Sequence, residues 1–338
     1  MSPTRPPSSL TWTPVEGWAP RPSGWELRDV PGVAVDAADR VWVISRDETP
    51  VTVRSSDGAL LDSWGAGVFA RPHSIRIDPL GFVWCVDDGD HTVRKFSSDG
   101  RLVMVLGDPG HGSDTGVGSV DGDYRKFDYR EVVFGGPPFN GPTDVCVLRD
   151  GTTFVTDGYG NARVHRFSAS GELERSWGQP GSQPGQFHIP HGVVASPDED
   201  RLFVADRENY RVQVFDLDGA VLDQWRGFSR PDGIAISPDG LLCVPELGER
   251  AGRWAHMDPV TDHSPFGRCA IVDLDGTVLE RFGTGDPSRP GSFHAPHGVA
   301  FDSRGDLYVT EVAYSGGARL DDLPDGWHTL QKLERAGS

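Results

Sequence analysis

Positive charge is in short supply in this chain. Against 50 Asp and Glu there are 32 Lys and Arg, a net charge of −18, and nowhere a run of basic residues. Nucleic-acid backbones and anionic lipid surfaces are gripped by clustered cations, so the composition argues against both; the partner expected is a small-molecule or peptide-like substrate. No apolar stretch is long enough to cross a bilayer, and no apolar segment near the N-terminus resembles a signal sequence. The opening MSPTRPPSSLTWTP is polar and Pro-rich instead, which gives the expectation of a cytoplasmic protein. Cysteine is scarce: Cys85, Cys146, Cys243 and Cys269 each interrupt an apolar run, and none forms a CxxC pair. That spacing excludes a paired-cysteine zinc site and suits small buried side chains in a reducing compartment. No segment has the period of a long amphipathic helix.

What is abundant is punctuation. The 43 Gly and 27 Pro are spread along the chain, and 10 Trp with 16 Phe supply material for a core. The spacing is repetitive, and a repeat of this length decides the fold. Six segments read alike, beginning GVAVDAADRVWVISRD at Gly32, SIRIDPLGFVWCVDDG at Ser74, DVCVLRDGTTFVTDGY at Asp144, GVVASPDEDRLFVADR at Gly192, GIAISPDGLLCVPELG at Gly233 and GVAFDSRGDLYVTEVA at Gly298. Within each, short alternating runs rich in β-branched and aromatic residues are separated by Asp-Gly and Pro-Asp-Gly turns. Four strands per unit of roughly 35 to 45 residues is the pattern of a propeller blade. The expectation is an all-β, six-bladed β-propeller of NHL-type repeats over residues 26–338, preceded by a polar arm over residues 1–25. Two insertions, Asp108 to Pro138 and Glu249 to Gly267, interrupt the rhythm at lengths uncommon unless a loop is functional or disordered.

Before the first strand of each unit stands an informative position. Units 2, 4 and 6 read RPHS, IPHG and APHG, placing His73, His191 and His297 in one register, while units 1, 3 and 5 have Pro31, Thr143 and Asp232. First strands line the axis of a propeller, and alternate blades of six stand about 120° apart. Three histidines there converge with threefold geometry, and three neutral imidazoles with an open position make a catalytic zinc set. His188 and His294 recur three residues before two of these histidines, where a structural role is expected. His91, His111, His165, His256 and His263 follow no such register.

The stretch FNGPTDVCVLRDGTTFVTDGYGNARVHRF, followed by PGQFHIPHGVV and RLFVADRENYRVQVF, resembles peptidyl-α-hydroxyglycine α-amidating lyase, densely over residues 139–215 and at the level of the repeat elsewhere. In that family TDGY-x-N-x-R and ADREN-x-R motifs flank a Pro-His ligand motif. The resemblance implies that His73, His191 and His297 hold Zn²⁺ or a similar divalent ion. It also implies that Tyr159 is the catalytic base, that Arg207 lies beside it and that Arg46 binds the substrate carboxylate. The implied reaction splits a carbinolamide into an amide and glyoxylate.

The sequence also departs from the family. Gly160 and Tyr210 stand where secreted members have disulfide cysteines, and Gly298 stands where the family has an aspartate that helps hold a structural calcium, so calcium is not expected. Glu246, Glu249, Arg250, Arg253, Trp254, His256 and Tyr314 have no family counterpart, which suggests a changed substrate around a retained metal centre. Two other classes stay open on the sequence: a metal-dependent propeller hydrolase such as a lactonase, and a non-catalytic NHL interaction scaffold. An imidazole-rich site counts against the former, and the latter has no need of Tyr159 and Arg207.

Overall fold

The computed structural model describes residues 11–20, 25–117, 129–251, 263–316 and 328–336. They form six four-stranded antiparallel sheets, the blades of a propeller. The first, innermost strands are Gly32–Val35, Pro72–Ile77, Pro142–Val147, Pro190–Ala195, Ala235–Ile236 and Pro296–Phe301. The ring closes between blades six and one. Trp12–Pro14 pairs with Leu330–Arg335 as the outermost strand of the blade that holds His297. Part of the stretch expected as a polar arm is therefore a strand: Trp12 is buried and packs against Phe282, apolar material that a free arm would leave in water.

Burial follows position in the blade. The second strands Val83–Asp87 and Thr153–Asp157 are buried at every residue, whereas the outer Leu60–Trp64 is mostly exposed. A middle strand is covered by a blade on each face, so apolar residues succeed one another without alternation. Trp84, Val86 and Val93 of blade 2 interlock with Val145, Val155 and Phe167 of blade 3 in one such layer. Each fully buried aliphatic or aromatic side chain there contributes about 1.5–3 kcal/mol. All four cysteines are unpaired, and three are buried among such neighbours.

The hairpins are set by their own chemistry. Asp78 accepts the N–H groups of Leu80 and Phe82 and the indole N–H of Trp84, each at 2.9 Å. Asp36 does the same for Ala38, Arg40 and Trp42. Gly219, at φ +87°, closes an Asp-Gly turn where a Cβ would lie 2.6 Å from the Trp177 ring of the preceding blade.

A second recurring device positions the loops that matter. The carboxylate ending the second strand turns back to capture the N–H groups just ahead of the first strand of its own blade. Asp87 takes those of Ala70 and Arg71, Asp157 that of Asn140, Asp206 that of His188, and Glu311 those of His294 and Ala295. His188 and His294 thus serve through their main chain, in keeping with the structural role expected of them. The described ends of both insertions lie on this same face. Thr115 Oγ1 donates to the Gly160 carbonyl at 2.6 Å, and Glu249 and Arg250 pair with Ser264 and Pro265. Arg253, Trp254 and His256 lie outside the described residues.

Candidate metal centre

Pro-His begins the first strand of blades 2, 4 and 6, and in each the ladder register slips at the histidine: between Pro72 and Ser74, Pro190 and Val193, and Pro296 and Val299. Such a bulge re-aims a side chain out of the pleat, and here it turns three imidazoles to the axis. Their ring centroids are 4.8 Å apart in every pair, all three are buried, and one nitrogen from each lies within 4.8 Å of the others. Gly192 and Gly298, which follow two of them, allow this closeness. A Cβ on Gly192 would stand 2.5 Å from the Asp232 carbonyl, and one on Gly298 2.9 Å from that of Pro31.

The alternate blades without histidine complete the centre. His73 Nδ1 donates to the Thr143 carbonyl at 2.6 Å, and His297 Nδ1 to the Pro31 carbonyl at 2.6 Å. His191 Nδ1 faces the main-chain carbonyl of Asp232 in the same way. Each imidazole is thereby fixed as the Nδ1–H tautomer with Nε2 left as a lone-pair donor, as in histidine metal sites. Burial, then repulsion from the neighbouring imidazoles, holds His73 well below the ordinary histidine range. Burial and the nearby Arg207 do the same for His191, and burial lowers His297 to about 3 against the pull of Asp232. Three neutral imidazoles in register are a donor set suited to a borderline divalent ion. The buried carboxylate of Asp232, whose oxygens have no hydrogen-bond donor, adds a negative charge that such an ion would balance. The residues present fit a divalent metal.

They do not fit a second, calcium-like ion on the axis. Behind the histidines a narrow channel holds Arg76, whose guanidinium binds both oxygens of Asp144 and the Ile234 carbonyl. With Gly298 offering no side chain, the channel supplies a cation of its own instead of a cage for one.

The Tyr159 hydroxyl sits over the triad, 2.9 Å from His73 Nε2 and 3.3 Å from His191 Nε2. The Arg207 guanidinium carbon is 5.5 Å from the centre of its ring, and the two side chains are hydrogen-bonded. Burial nonetheless raises the phenol above its ordinary value, outweighing the opposing pull of Arg207 and Arg71. A lowered pKa for Tyr159 thus depends on a cation at the triad and does not follow from arginine alone. Arg46 also reaches the centre, close enough to depress His73 and His297. Its Nη1 donates to Asp29 and Ser315, at 3.1 and 3.2 Å, and Nε to the Pro72 carbonyl at 3.4 Å.

Two further residues stand here that motif reading passed over. Asp88, fully buried, is ion-paired with Arg71 and places Oδ2 4.0 Å from His73 Nε2, and the Arg71 guanidinium lies 6.0 Å from the Tyr159 ring centre. The repeat does carry a trace of them. Arg71 occupies the place of Ile189 and Ala295 before Pro-His, and Asp88 follows the second strand at the register of Arg46 and Arg207. Of the residues without a family counterpart, Glu246 is bound by Arg268 and Arg281 away from the triad, and Tyr314 lies beneath the guanidinium of Arg28.

Comparison with known proteins agrees with this architecture. The NHL repeat family model matches residues 187–215. Peptidyl-alpha-hydroxyglycine alpha-amidating lyase 1 of Drosophila melanogaster is 35% identical over 288 residues, 79% of this chain and 47% of that protein. Human NHL repeat-containing protein 3 is 32% identical over 257 residues, 71% of this chain and 67% of its own length. The chain thus spans about half the length of the Drosophila lyase. Among solved structures, virginiamycin B lyase from Staphylococcus aureus superposes with a TM-score of 0.56 at 13% identity, covering 96% of this chain and 98% of that one. A gluconolactonase from Xanthomonas campestris gives 0.59 at 18%, covering 91% and 86%. At those identities the structural likenesses speak for the fold alone. On the sequence likenesses the chain belongs to the NHL-repeat β-propeller family, as a relative of the peptidyl-α-hydroxyglycine α-amidating lyases.

Proposed function

We propose that this chain is a zinc-dependent lyase that cleaves a carbinolamide, R–CO–NH–CH(OH)–COO⁻, or a closely related hydroxylated amide, into an amide and an aldehyde acid such as glyoxylate. The observation that carries the reading is the Tyr159 hydroxyl, set within 3.3 Å of two ligand nitrogens and beside Arg207. A divalent ion held by His73, His191 and His297 would polarise the substrate oxygens as a Lewis acid and draw down the Tyr159 pKa.

The chain's own residues account for the proton and the charge. Tyr159 takes the proton of the carbinol hydroxyl as the C–N bond breaks. The C–O bond becomes a carbonyl, the bonding pair leaves with the amide nitrogen, and that nitrogen gains a proton, so the reaction balances without an oxidant or water. Arg207 supports the phenolate form through its charge. Arg46, its Nε and Nη1 engaged by Pro72, Asp29 and Ser315, offers its positive charge to the substrate carboxylate, and burial of the triad keeps competing water out. The four unpaired thiols suit a reducing compartment, and with Gly160 and Tyr210 in place of disulfide cysteines we read the protein as cytoplasmic. An imidazole-rich centre with a tyrosine over it favours this lyase over a lactonase, whose metal is held by carboxylates.

Metal analysis of purified protein tests the reading. About one zinc per chain in the wild type and little in His191→Ala is expected, with glyoxylate released from an N-acyl-α-hydroxyglycine by the former alone. A metal-loaded wild type that leaves hydroxyglycine amides intact overturns the substrate class, and a wild type that takes up no metal overturns the centre.

A further inference from the structure

Blade 5 contributes Asp232 at the register where blades 1 and 3 have Pro31 and Thr143, and all three main-chain carbonyls face an Nδ1 of the triad. The side chain of Asp232 goes beyond that shared task. Its carboxylate is fully buried, with Oδ1 in contact with His191 Nδ1, Oδ2 3.9 Å from His297 Nε2, and Oδ1 3.8 Å from Arg207 Nη1. His191 Nδ1 has both the main-chain carbonyl and Oδ1 of Asp232 before it, and neither carboxylate oxygen makes a well-formed hydrogen bond.

A buried carboxylate without donors is destabilising unless an opposite charge is near. Arg207 is shared: its Nε binds Glu208 at 3.0 Å, and Glu208 is bound in turn by Arg230. What Asp232 faces from both oxygens is the triad itself, between two of its three members. Three neutral imidazoles bring no charge to offset a divalent cation. Asp88, the other carboxylate near a ligand nitrogen among the described residues, is already paired with Arg71.

We propose that Asp232 is a positioning residue of the centre, its counter-charge: a carboxylate outside the ligand set that makes affinity for a divalent ion depend on blade 5. This rests on the reading of the triad as a metal site, and it assigns a cost to the metal-free protein as well. Without the cation Asp232 is a buried carboxylate whose anionic form burial disfavours, and with it the charge is balanced. Removing the carboxylate therefore acts in opposite directions on the two forms, which a residue serving packing alone does not do.

The test uses the full chain, stripped of metal and titrated with Zn²⁺ against a chromophoric chelator, with Co²⁺ as a spectroscopic probe. Asp232→Asn keeps the shape and removes the charge. Zinc affinity is expected to fall about 10- to 100-fold, the Co²⁺ absorption to stay as in the wild type because the three ligands are unchanged, and the metal-free variant to melt no lower than metal-free wild type. Asp232→Ser gives the same comparison with less bulk should the amide not be accommodated. Wild-type zinc affinity in both variants overturns the proposal, as does an altered Co²⁺ spectrum, which would make Asp232 a direct ligand. A wild type that binds no zinc overturns the triad as a metal site, and this inference with it.

Discussion

Tyr159 and His73 meet hydroxyl to Nε2 at 2.9 Å, although 86 residues separate them and each comes from a different blade. The tyrosine sits in the loop after the second strand of blade 3, and the histidine on the bulge that begins blade 2. This contact puts a proton-accepting oxygen beside the nitrogen that would ligate the metal.

Tyr159→Phe removes that oxygen and keeps the ring that packs with Val132, Ala162 and Phe187. Metal content and melting temperature are expected to match the wild type while kcat falls about 10²- to 10⁴-fold, the scale of a lost general base. Steady-state kinetics with elemental analysis on one preparation checks this. Retained turnover removes Tyr159 from the mechanism.

The metal-free protein should lose stability in acid. His297 titrates at about 3 when folded and near 6.5 when unfolded, and His73 and His191 are displaced in the same direction. Between those limits the unfolded chain binds protons that the folded chain refuses. Stability is then full above about pH 6.5 and falls below it, by up to about 1.4 kcal/mol per pH unit for each histidine. Denaturant unfolding of stripped protein from pH 7.5 to 4.5, repeated with His297→Asn, should give a shallower pH slope in the variant.

Asp206→Ala should be among the most damaging single changes. Asp206 accepts Arg211 Nε at 2.7 Å, the Gln213 amide at 3.0 Å and the main-chain N–H of His188 at 2.8 Å. Its removal leaves the fully buried Arg211 without its ion-pair partner and frees the loop leading to His191. A loss of about 3–5 kcal/mol is expected, read as a shift in denaturant midpoint, with weakened metal retention in the fraction that stays folded.

Gly192→Ala tests how closely the inner strands must approach. The new methyl would stand 2.5 Å from the Asp232 carbonyl, so either His191 or blade 5 must move. Overpacking of this kind costs about 1–3 kcal/mol. Because the clash falls at the ligand, zinc affinity should drop along with the melting temperature. Wild-type affinity in this variant would mean that the ring relaxes without disturbing the triad.

The repeat pattern was enough for the architecture and for the histidine trio. A blade's turns are set by Asp and Gly beside the strands they join, and its burial by the adjoining copies of the repeat. Six copies therefore announce a closed ring, and three Pro-His steps in alternate copies announce a convergence on the axis. Tyr159, Arg207 and Arg46 were legible through motif resemblance, and the structure brings all three to the triad.

Tertiary structure alone decided the charges around that point. Arg71 reaches Tyr159 and Asp232 reaches His191 and His297 across blade boundaries, while Asp88 turns to His73 within its own blade; repeat register says which residues share a level but not which way each side chain turns. The same holds for the Arg76–Asp144 pair in the channel and for Trp12–Pro14, which reads as part of a polar arm until Leu330–Arg335 offers it a ladder. Local sequence fixes strands and turns because their forces act within a few residues. The balance of charge in a buried site is a sum over neighbours brought together from the whole chain, and it exists once the ring has closed.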